Sequence, residues 1–186
     1  IWNKNTGELK TTKQAHSKAV KAIGVHDVDE NQYATGGAGG SVRVWKKDGD
    51  KHEMQKEFFI KDQIKGIPLL CKRPSVTELT GDIDTPTAGI KAIDYQKDKI
   101  LVGTEGGEIY LCTYSSGAIE KLMDSHFNDV AGLAPQPNTT WVCSTAQDRT
   151  LRVWDTADPG GLSIRSRELP REDETKNADG TVKTPA

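Results

Sequence analysis

The chain has 186 residues, a formal net charge of −2 and a pI near 6.1, which is enough length for one ordinary domain and gives no reason to expect nucleic acid as a partner. Its three cysteines lack the CxxC spacing of zinc sites and are odd in number, so a disulfide framework is not expected and a reducing compartment is favoured. The chain has no run of about 18 apolar residues that could cross a membrane, and its N-terminus lacks the apolar region of a signal peptide.

From the N-terminus onwards, the predicted elements are short strands that recur in groups of four, and no segment has a convincing helical period. Each group has an inner run, two strands joined by a tight turn, and an outer run. The three groups are AVKAIGV (19–25), ATGGAGGSVRVW (34–45) and HEMQKEFFI (52–60); GIKAIDY (89–95), LVGTEGGEIYLC (101–112) and GAIEKLMD (117–124); and DVAGLAP (129–135), CSTAQDRTLRVW (143–154) and LSIRSREL (162–169). The run GELKTTKQ (7–14), which follows Ile1-Trp2, predicts the outer strand of an earlier group.

The spacing of the repeats predicts the architecture. Trp2 precedes Trp45 by 43 residues, Cys112 follows Trp45 by 67, and Trp154 follows Cys112 by 42. A period of about 42 residues with four strands per unit is typical of β-propeller blades. We therefore predict an all-β protein with about three blades and a remnant of a fourth. Because so few blades cannot close a ring, we expect the chain to be part of a larger propeller that continues upstream.

The glycine-rich stretch at 34–41 invites a different interpretation, that of a phosphate-binding loop. A Walker loop needs a lysine and a following helix. ATGGAGGS contains no lysine, and a strand-like run follows it. We therefore predict a tight turn between two strands, where glycine accepts positive φ without steric cost.

Domain boundaries follow from the repeats and from composition. The predicted parts are 1–60, with the end of one blade and the first complete blade; 61–88, an insertion loop; 89–124, the second blade; 125–169, the third blade; and 170–186, a polar linker.

The last unit contains Ser, His and Asp, the residue types of a hydrolase triad. Their positions relative to the predicted strands favour a buried hydrogen-bonded chain instead, of the kind found in WD-repeat blades, which satisfies buried polar groups. The predicted network residues are His126, Ser144, Asp148 and Trp154, with His16, Thr35 and Trp45 in the first blade. Gly39 replaces the aspartate there, and the middle unit has Pro86, Val102, Gly106 and Cys112 at the four positions. We predict no catalytic, cofactor-binding or metal-binding residue, no small-molecule substrate, and no enzyme activity.

Several stretches resemble one family of WD-repeat propellers. They are IWNKNTGE (1–8), Ala15-His16, TGG (35–37), ILVGT (100–104), NDVAGLAPQP (128–137) and AQDRTLRVWD (146–155). Over about residues 1–155 they resemble the echinoderm microtubule-associated protein-like family, although Ala131 stands where that family has Trp. The resemblance implies a scaffolding protein of the cytoplasm and cytoskeleton, including the axoneme of cilia. Its implied partners are tubulin, microtubules or other axonemal proteins, with no nucleic acid and no membrane.

The insertion 61–88 is the predicted partner contact. Its core, KGIPLLCKRP, combines apolar and basic residues, and Lys65, Leu69, Leu70, Lys72 and Arg73 would meet an acidic surface. An extended surface loop without a partner is the alternative interpretation. A generic WD-repeat adaptor of another assembly is the alternative function, because the fold by itself does not select a partner.

Overall fold

The computed structural model describes residues 1, 3, 5–60, 63, 89–122, 126–161 and 163–169. Within them, twelve β-strands form three four-stranded antiparallel sheets in which neighbouring strands follow one another along the chain. Blade A contains β1 (Val20–Val25), β2 (Gln32–Gly37), β3 (Ser41–Asp48) and β4 (Lys51–Phe59). Blade B contains β5 (Ile90–Gln96), β6 (Lys99–Thr104), β7 (Ile109–Thr113) and β8 (Ile119–Lys121), and blade C contains β9 (Val130–Pro135), β10 (Trp141–Ala146), β11 (Thr150–Asp155) and β12 (Arg165–Glu168). The prediction of an all-β protein built from propeller blades is confirmed.

The blades pack face to face, and the alternation of side chains along each strand provides the apolar layers between them. Val42 and Val44 of blade A meet Ile93 and Ile100 of blade B in one cluster. A second cluster, which includes Leu111 and Trp154, lies between blades B and C. Full burial of such a side chain contributes about 1.5–3 kcal/mol, so these two layers stabilise the arrangement of the blades.

Two glycines let the inner strand of the next blade approach closely. A Cβ on Gly36 of β2 would lie 2.8 Å from Cβ of Ile90, and one on Gly103 of β6 would lie 2.7 Å from Cβ of Val130. Both distances are shorter than ordinary carbon–carbon contact. The glycine-rich stretch thus has two structural roles, since Gly36 lies against blade B while Gly40, with φ of 76°, lies in the turn between β2 and β3.

The run at 7–14 does not form the predicted strand, and only Leu9 has a bridge partner. Instead, Lys10 N–H donates to the Ile1 carbonyl (2.9 Å) and Asn3 N–H donates to the Glu8 carbonyl (2.9 Å), in a short hairpin-like pairing. The described residues place no further strand beside this pairing, and a two-stranded hairpin alone is marginally stable in water. In the described parts of the other two outer runs, 117–122 and 163–169, strands β8 and β12 cover only Ile119–Lys121 and Arg165–Glu168.

Strand direction gives each blade two ends. We call the end with the turns β2–β3, β6–β7 and β10–β11 the upper end, and the end with the loops β1–β2, β5–β6 and β9–β10 the lower end. Strand β4 ends and strand β5 begins at the upper end, and the insertion 61–88 that separates them in sequence lies outside the described residues apart from residue 63.

The outward faces of blades A and C keep apolar side chains in contact with solvent. Ile23 and Val25 of blade A are 64% and 57% exposed, and Trp141 of blade C is 46% exposed. Leu151 and Val153 are half-buried, whereas Val42 and Val44, at the aligned positions of blade A, are fully buried under blade B. These are the faces that further blades would cover in a closed ring.

Candidate functional site

The four polar network residues of blade C meet in one buried chain. Trp154 Nε1–H donates to Ser144 Oγ (2.8 Å), and Ser144 Oγ lies 2.7 Å from His126 Nε2. On the other side of the imidazole ring, His126 Nδ1 lies 3.0 Å from Asp148 Oδ2. When the imidazole carries its hydrogen on Nδ1, the Ser144 hydroxyl donates to the lone pair on Nε2 and Nδ1–H donates to Asp148. Each polar group along these hydrogen bonds then has a partner. These hydrogen bonds join the segment before β9, strand β10, the β10–β11 turn and strand β11.

Asp148 is the end of that chain and binds the turn around it. Its carboxylate accepts hydrogen bonds from Phe127 N–H (3.0 Å), Thr150 N–H (2.9 Å) and Thr150 Oγ1–H (2.7 Å). Burial by itself would raise the pKa of Asp148, but the hydrogen bonds from Thr150, Phe127 and His126 outweigh it and lower the pKa to about 2. The carboxylate is therefore ionised at neutral pH and fixes the turn to the segment before β9.

The accessibility of Ser144 decides what this arrangement can do chemically. Ser144 is 1% exposed and its hydroxyl lies between Trp154 and His126. A nucleophile must come within about 3–3.5 Å of the substrate atom that it attacks, and the buried hydroxyl leaves no room for a carbonyl carbon there. The geometry supports hydrogen bonding between strands and not acyl transfer.

Thr150 is a network member that sequence reasoning missed. Its Oγ1 lies 2.9 Å from His126 Nδ1 and donates to Asp148. The sequence contained one signal for it. Thr150 stands two residues after Asp148, and blade A also has a hydroxyl residue, Ser41, two residues after the aligned Gly39.

Blade A builds the same chain without its acid. Trp45 Nε1–H donates to Thr35 Oγ1 (2.8 Å), which lies 2.9 Å from His16 Nε2. With Gly39 at the aspartate position, the other ring nitrogen of His16 has Ser41 Oγ at 3.4 Å. Burial and then the nearby charge of Arg43 lower the pKa of His16, so its ring stays neutral at neutral pH.

Blade B closes its turn with a different pair. Val102, Gly106 and Cys112 provide no hydrogen-bonding equivalent of the chain, and Pro86 lies outside the described residues. Thr104 Oγ1–H donates to Glu108 Oε2 (2.7 Å), while Glu108 N–H donates to Thr104 Oγ1 (3.1 Å). Sequence reasoning did not identify this pair. The only signal was a Thr and a Glu on either side of Glu-Gly-Gly.

A separate polar contact joins blades B and C at their lower end. The Gln96 amide donates to the carbonyls of Thr139 (3.0 Å) and Trp141 (3.2 Å) and accepts from Thr156 Oγ1–H (2.7 Å). Gln96 is buried, so both ends of its amide are satisfied where water has little access.

The charges at the upper ends differ between blades. On blade A, Lys18 and Lys21 are exposed, and neither 15–24 nor the turn 37–40 contains Asp or Glu. On blades B and C, Lys91 Nζ lies 3.2 Å from the Asp129 carboxylate and 3.6 Å from that of Glu105. At the lower end of blade A, Lys46, Lys47 and Lys51 flank Asp48 and Asp50 in sequence. The upper end of blade A is therefore the basic one.

Lys65, Leu69, Leu70, Lys72 and Arg73 lie outside the described residues, so their role as a partner contact stays a prediction. A cleft of about 390 Å³ lies between the hairpin-like pairing at the N-terminus and blade A, with a mainly apolar lining that also includes Thr12, Lys13 and Thr35.

The described part of the chain contains neither a cluster of metal-ligating side chains nor a helix that could span a membrane. Among its His, Cys, Asp and Glu side chains, no three come together as a potential metal site. None of its segments is a helix of the length and apolarity that a bilayer span requires.

Comparison with known proteins agrees with this architecture. The family model described as "WD domain, G-beta repeat" matches residues 7–46 and 117–155. A crystal structure of the computationally designed Ika8 protein superposes with a TM-score of 0.58 at 19% identity and covers 89% of this chain and 42% of that one. At this identity the likeness concerns the fold alone. The chain thus carries WD repeats arranged as propeller blades.

Two curated proteins are similar over almost the whole chain. Echinoderm microtubule-associated protein-like 2 of Rattus norvegicus is 22% identical, and that of Mus musculus is 21% identical, each over 98% of this chain. The chain spans 31% of the length of each relative. The similarity is weak in identity but extends well beyond the two ranges that the family model matches.

Proposed function

We propose that these WD repeats are a non-catalytic part of a microtubule-associated protein of the cytoplasmic cytoskeleton, including the ciliary axoneme. The blades act as a scaffold that binds tubulin or other axonemal proteins. The observation that carries the proposal is the similarity to the two microtubule-associated protein-like relatives over 98% of the chain.

A non-catalytic role is supported by the use of the reactive residue types. His126, Ser144 and Asp148 are buried in hydrogen bonds between strands, and the corresponding chain in blade A lacks the aspartate. The absence of the aspartate from one repeat is compatible with a stabilising network, because a sheet can remain folded with an incomplete set of these hydrogen bonds. A catalytic centre would not function without one of its residues.

The basic upper end of blade A is the surface that fits an acidic filament. Lys18 and Lys21 are exposed there. The end of β4 and the start of β5 lie at the same end, and the sequence between these two strands contains Lys65, Lys72 and Arg73. Exposed Lys contacts with an acidic surface raise the association rate and lose strength as salt screens them. Binding through this end should therefore weaken steeply with ionic strength.

Co-sedimentation with microtubules across a salt series tests the proposal. The protein should pellet at low salt, and both Lys18→Glu/Lys21→Glu and deletion of 61–88 should reduce the pelleted fraction. Lys46→Glu/Lys47→Glu is the matched control, because it makes the same change of charge at the lower end of the same blade. Equal loss in both double variants would mean that net charge and not this surface governs pelleting. An absence of pelleting at low salt would favour the generic WD-repeat adaptor instead.

A further inference from the structure

The β2–β3 turn of blade A has the same backbone geometry as the β10–β11 turn of blade C. Gly40 has φ of 76° and Arg149 has φ of 65°, and the N–H of each donates over 3.1 Å to the carbonyl three residues earlier. The N–H groups of Ala38 and Gln147 each donate, over 2.8 and 2.9 Å, to the carbonyl of the residue that precedes the inner strand. The two turns are therefore equivalent in backbone and differ in the side chains that they carry.

The groups that hold the Asp148 carboxylate in blade C recur in blade A. In blade C the carboxylate accepts hydrogen bonds from Phe127 N–H and from the N–H and hydroxyl of Thr150, and it lies beside His126 Nδ1. Blade A keeps two backbone N–H groups, a hydroxyl and an imidazole at these positions, and it lacks only the carboxylate, because the aspartate position holds glycine. The residues at the three positions in blade A are Ser17, Ser41 and His16.

These groups in blade A have poor acceptors of their own. His16 is 8% exposed, and its Nδ1 lies at a long 3.4 Å from Ser41 Oγ. Ser17 N–H has no acceptor among the residues that the structure describes. Within the same residues, a Cβ on Gly39 would meet only the Lys18 side chain, at 4.0 Å. The place beside Gly39 is therefore open to a side chain of another molecule, and an acceptor there would satisfy a buried polar group.

The charges around this place favour an anion. Lys18 and Lys21 are exposed, and neither has a carboxylate partner among the described residues. Arg43 pairs with Glu57 of β4 (2.8 Å), so these four groups sum to +2. The group formed by Lys91 and its two carboxylates on blades B and C carries −1, which still leaves the upper end of blade A and its neighbours positive.

We propose that blade A binds, beside Gly39, the carboxylate of a glutamate or aspartate side chain of a partner protein. We call this place the Gly39 site, and its donors are Ser17, Ser41 and His16. A methylene of the partner takes the place of the Cβ that Gly39 lacks, the carboxylate accepts from both N–H groups, and Lys18 supplies the opposite charge. A hydrogen on His16 Nδ1 completes the set, as in blade C. An acidic filament as the source of the carboxylate rests on the proposed function, whereas carboxylate binding itself is tested without it.

Amide NMR spectra recorded during a titration with sodium acetate test the Gly39 site directly, because acetate is a small molecule that carries this group. The Ser17 and Ser41 amide resonances should move downfield and saturate, with sodium chloride at equal ionic strength as the reference. Gly39→Asp places a carboxylate in the site from within the chain and should abolish the saturable shifts. Ala38→Asp is the matched control, because it adds the same charge one residue earlier, where blade B has Glu105, and it should change the acetate affinity by less than about fivefold.

Thermal unfolding and pelleting provide two further readouts. Gly39→Asp should raise the Tm by about 2–4 °C relative to Gly39→Asn at neutral pH, and this advantage should be lost as the pH falls below about 4. With microtubules, Gly39→Asp should reduce the pelleted fraction more than Ala38→Asp does. Acetate binding without pelleting would support the site and contradict the filament as its partner. Absence of saturable shifts at Ser17 and Ser41, equal shifts in Gly39→Asp, or a Tm of Gly39→Asp below that of Gly39→Asn would each overturn the assignment.

Discussion

The Asp148 carboxylate should supply a pH-dependent part of the folding free energy, and Asp148→Asn isolates it. Although burial opposes ionisation, hydrogen bonds from Thr150, Phe127 and His126 lower the pKa from 3.8 to about 2. One pKa unit corresponds to about 1.4 kcal/mol, so this shift contributes roughly 2 kcal/mol to the free energy of unfolding at neutral pH. Because the folded-state pKa is the lower one, the contribution is complete above the unfolded-state pKa and is lost as the pH falls from near 4 to near 2.

Urea unfolding followed by tryptophan fluorescence measures this contribution. At neutral pH, Asp148→Asn should be less stable than the native protein by about 2–4 kcal/mol, because the amide also turns a donor towards the Thr150 and Phe127 N–H groups. Near pH 2 the difference should shrink by roughly 2 kcal/mol, since the carboxylate is then about half protonated in the folded protein and almost fully protonated in the unfolded one. Asp50→Asn is the control, because the Asp50 side chain is 81% exposed, and it should cost less than about 0.5 kcal/mol at any pH.

The outcome that refutes this reasoning is a stability difference between native protein and Asp148→Asn that does not change between neutral and acid pH. Such a result would mean that Asp148 has an ordinary pKa in the folded protein. The hydrogen bonds of the β10–β11 turn would then fix the geometry of the turn without stabilising the ionised form of the Asp148 side chain.

Two further predictions concern blade A. Thr35→Val keeps the shape of the side chain but leaves the buried Trp45 Nε1–H without its acceptor, so it should lower the free energy of unfolding by about 1–3 kcal/mol; Thr6→Val, on the exposed N-terminal segment, is the control in the same urea titration. Gly36→Ala should cost about 1–3 kcal/mol, because the new Cβ would press on Ile90 of blade B. Gly39→Ala should be nearly neutral, since its Cβ would meet only Lys18 at 4.0 Å; equal losses for the two glycines would contradict the packing argument.

The architecture could be predicted because the repeat carries it. The Trp45 and Trp154 ends, together with alternation at Val42 and Val44, indicate strands whose faces can be assigned before any coordinates exist. The hydrogen-bonded network of His126, Ser144, Asp148 and Trp154 could also be predicted from the sequence, because each of these residue types stands at a defined position in the repeat. The comparison of blades then identified Gly39 as the position where blade A lacks the acid.

Other features depend on contacts between segments that the pattern does not relate. The Thr104–Glu108 pair replaces the chain in blade B through residue types that are common in exposed turns. The close approach of Gly36 to Ile90 depends on how two sheets pack, which no local pattern encodes. The run at 7–14 has strand-like alternation, but in the described residues it has no sheet to join.

The association with microtubules is tested most directly by pelleting the complete protein with polymerised tubulin at low ionic strength. Binding through the upper end of blade A predicts saturable pelleting that falls as salt is raised and that is weakened by Lys18→Glu/Lys21→Glu but not by Lys46→Glu/Lys47→Glu. Protein that remains in the supernatant at the lowest salt, at every tubulin concentration, would contradict it.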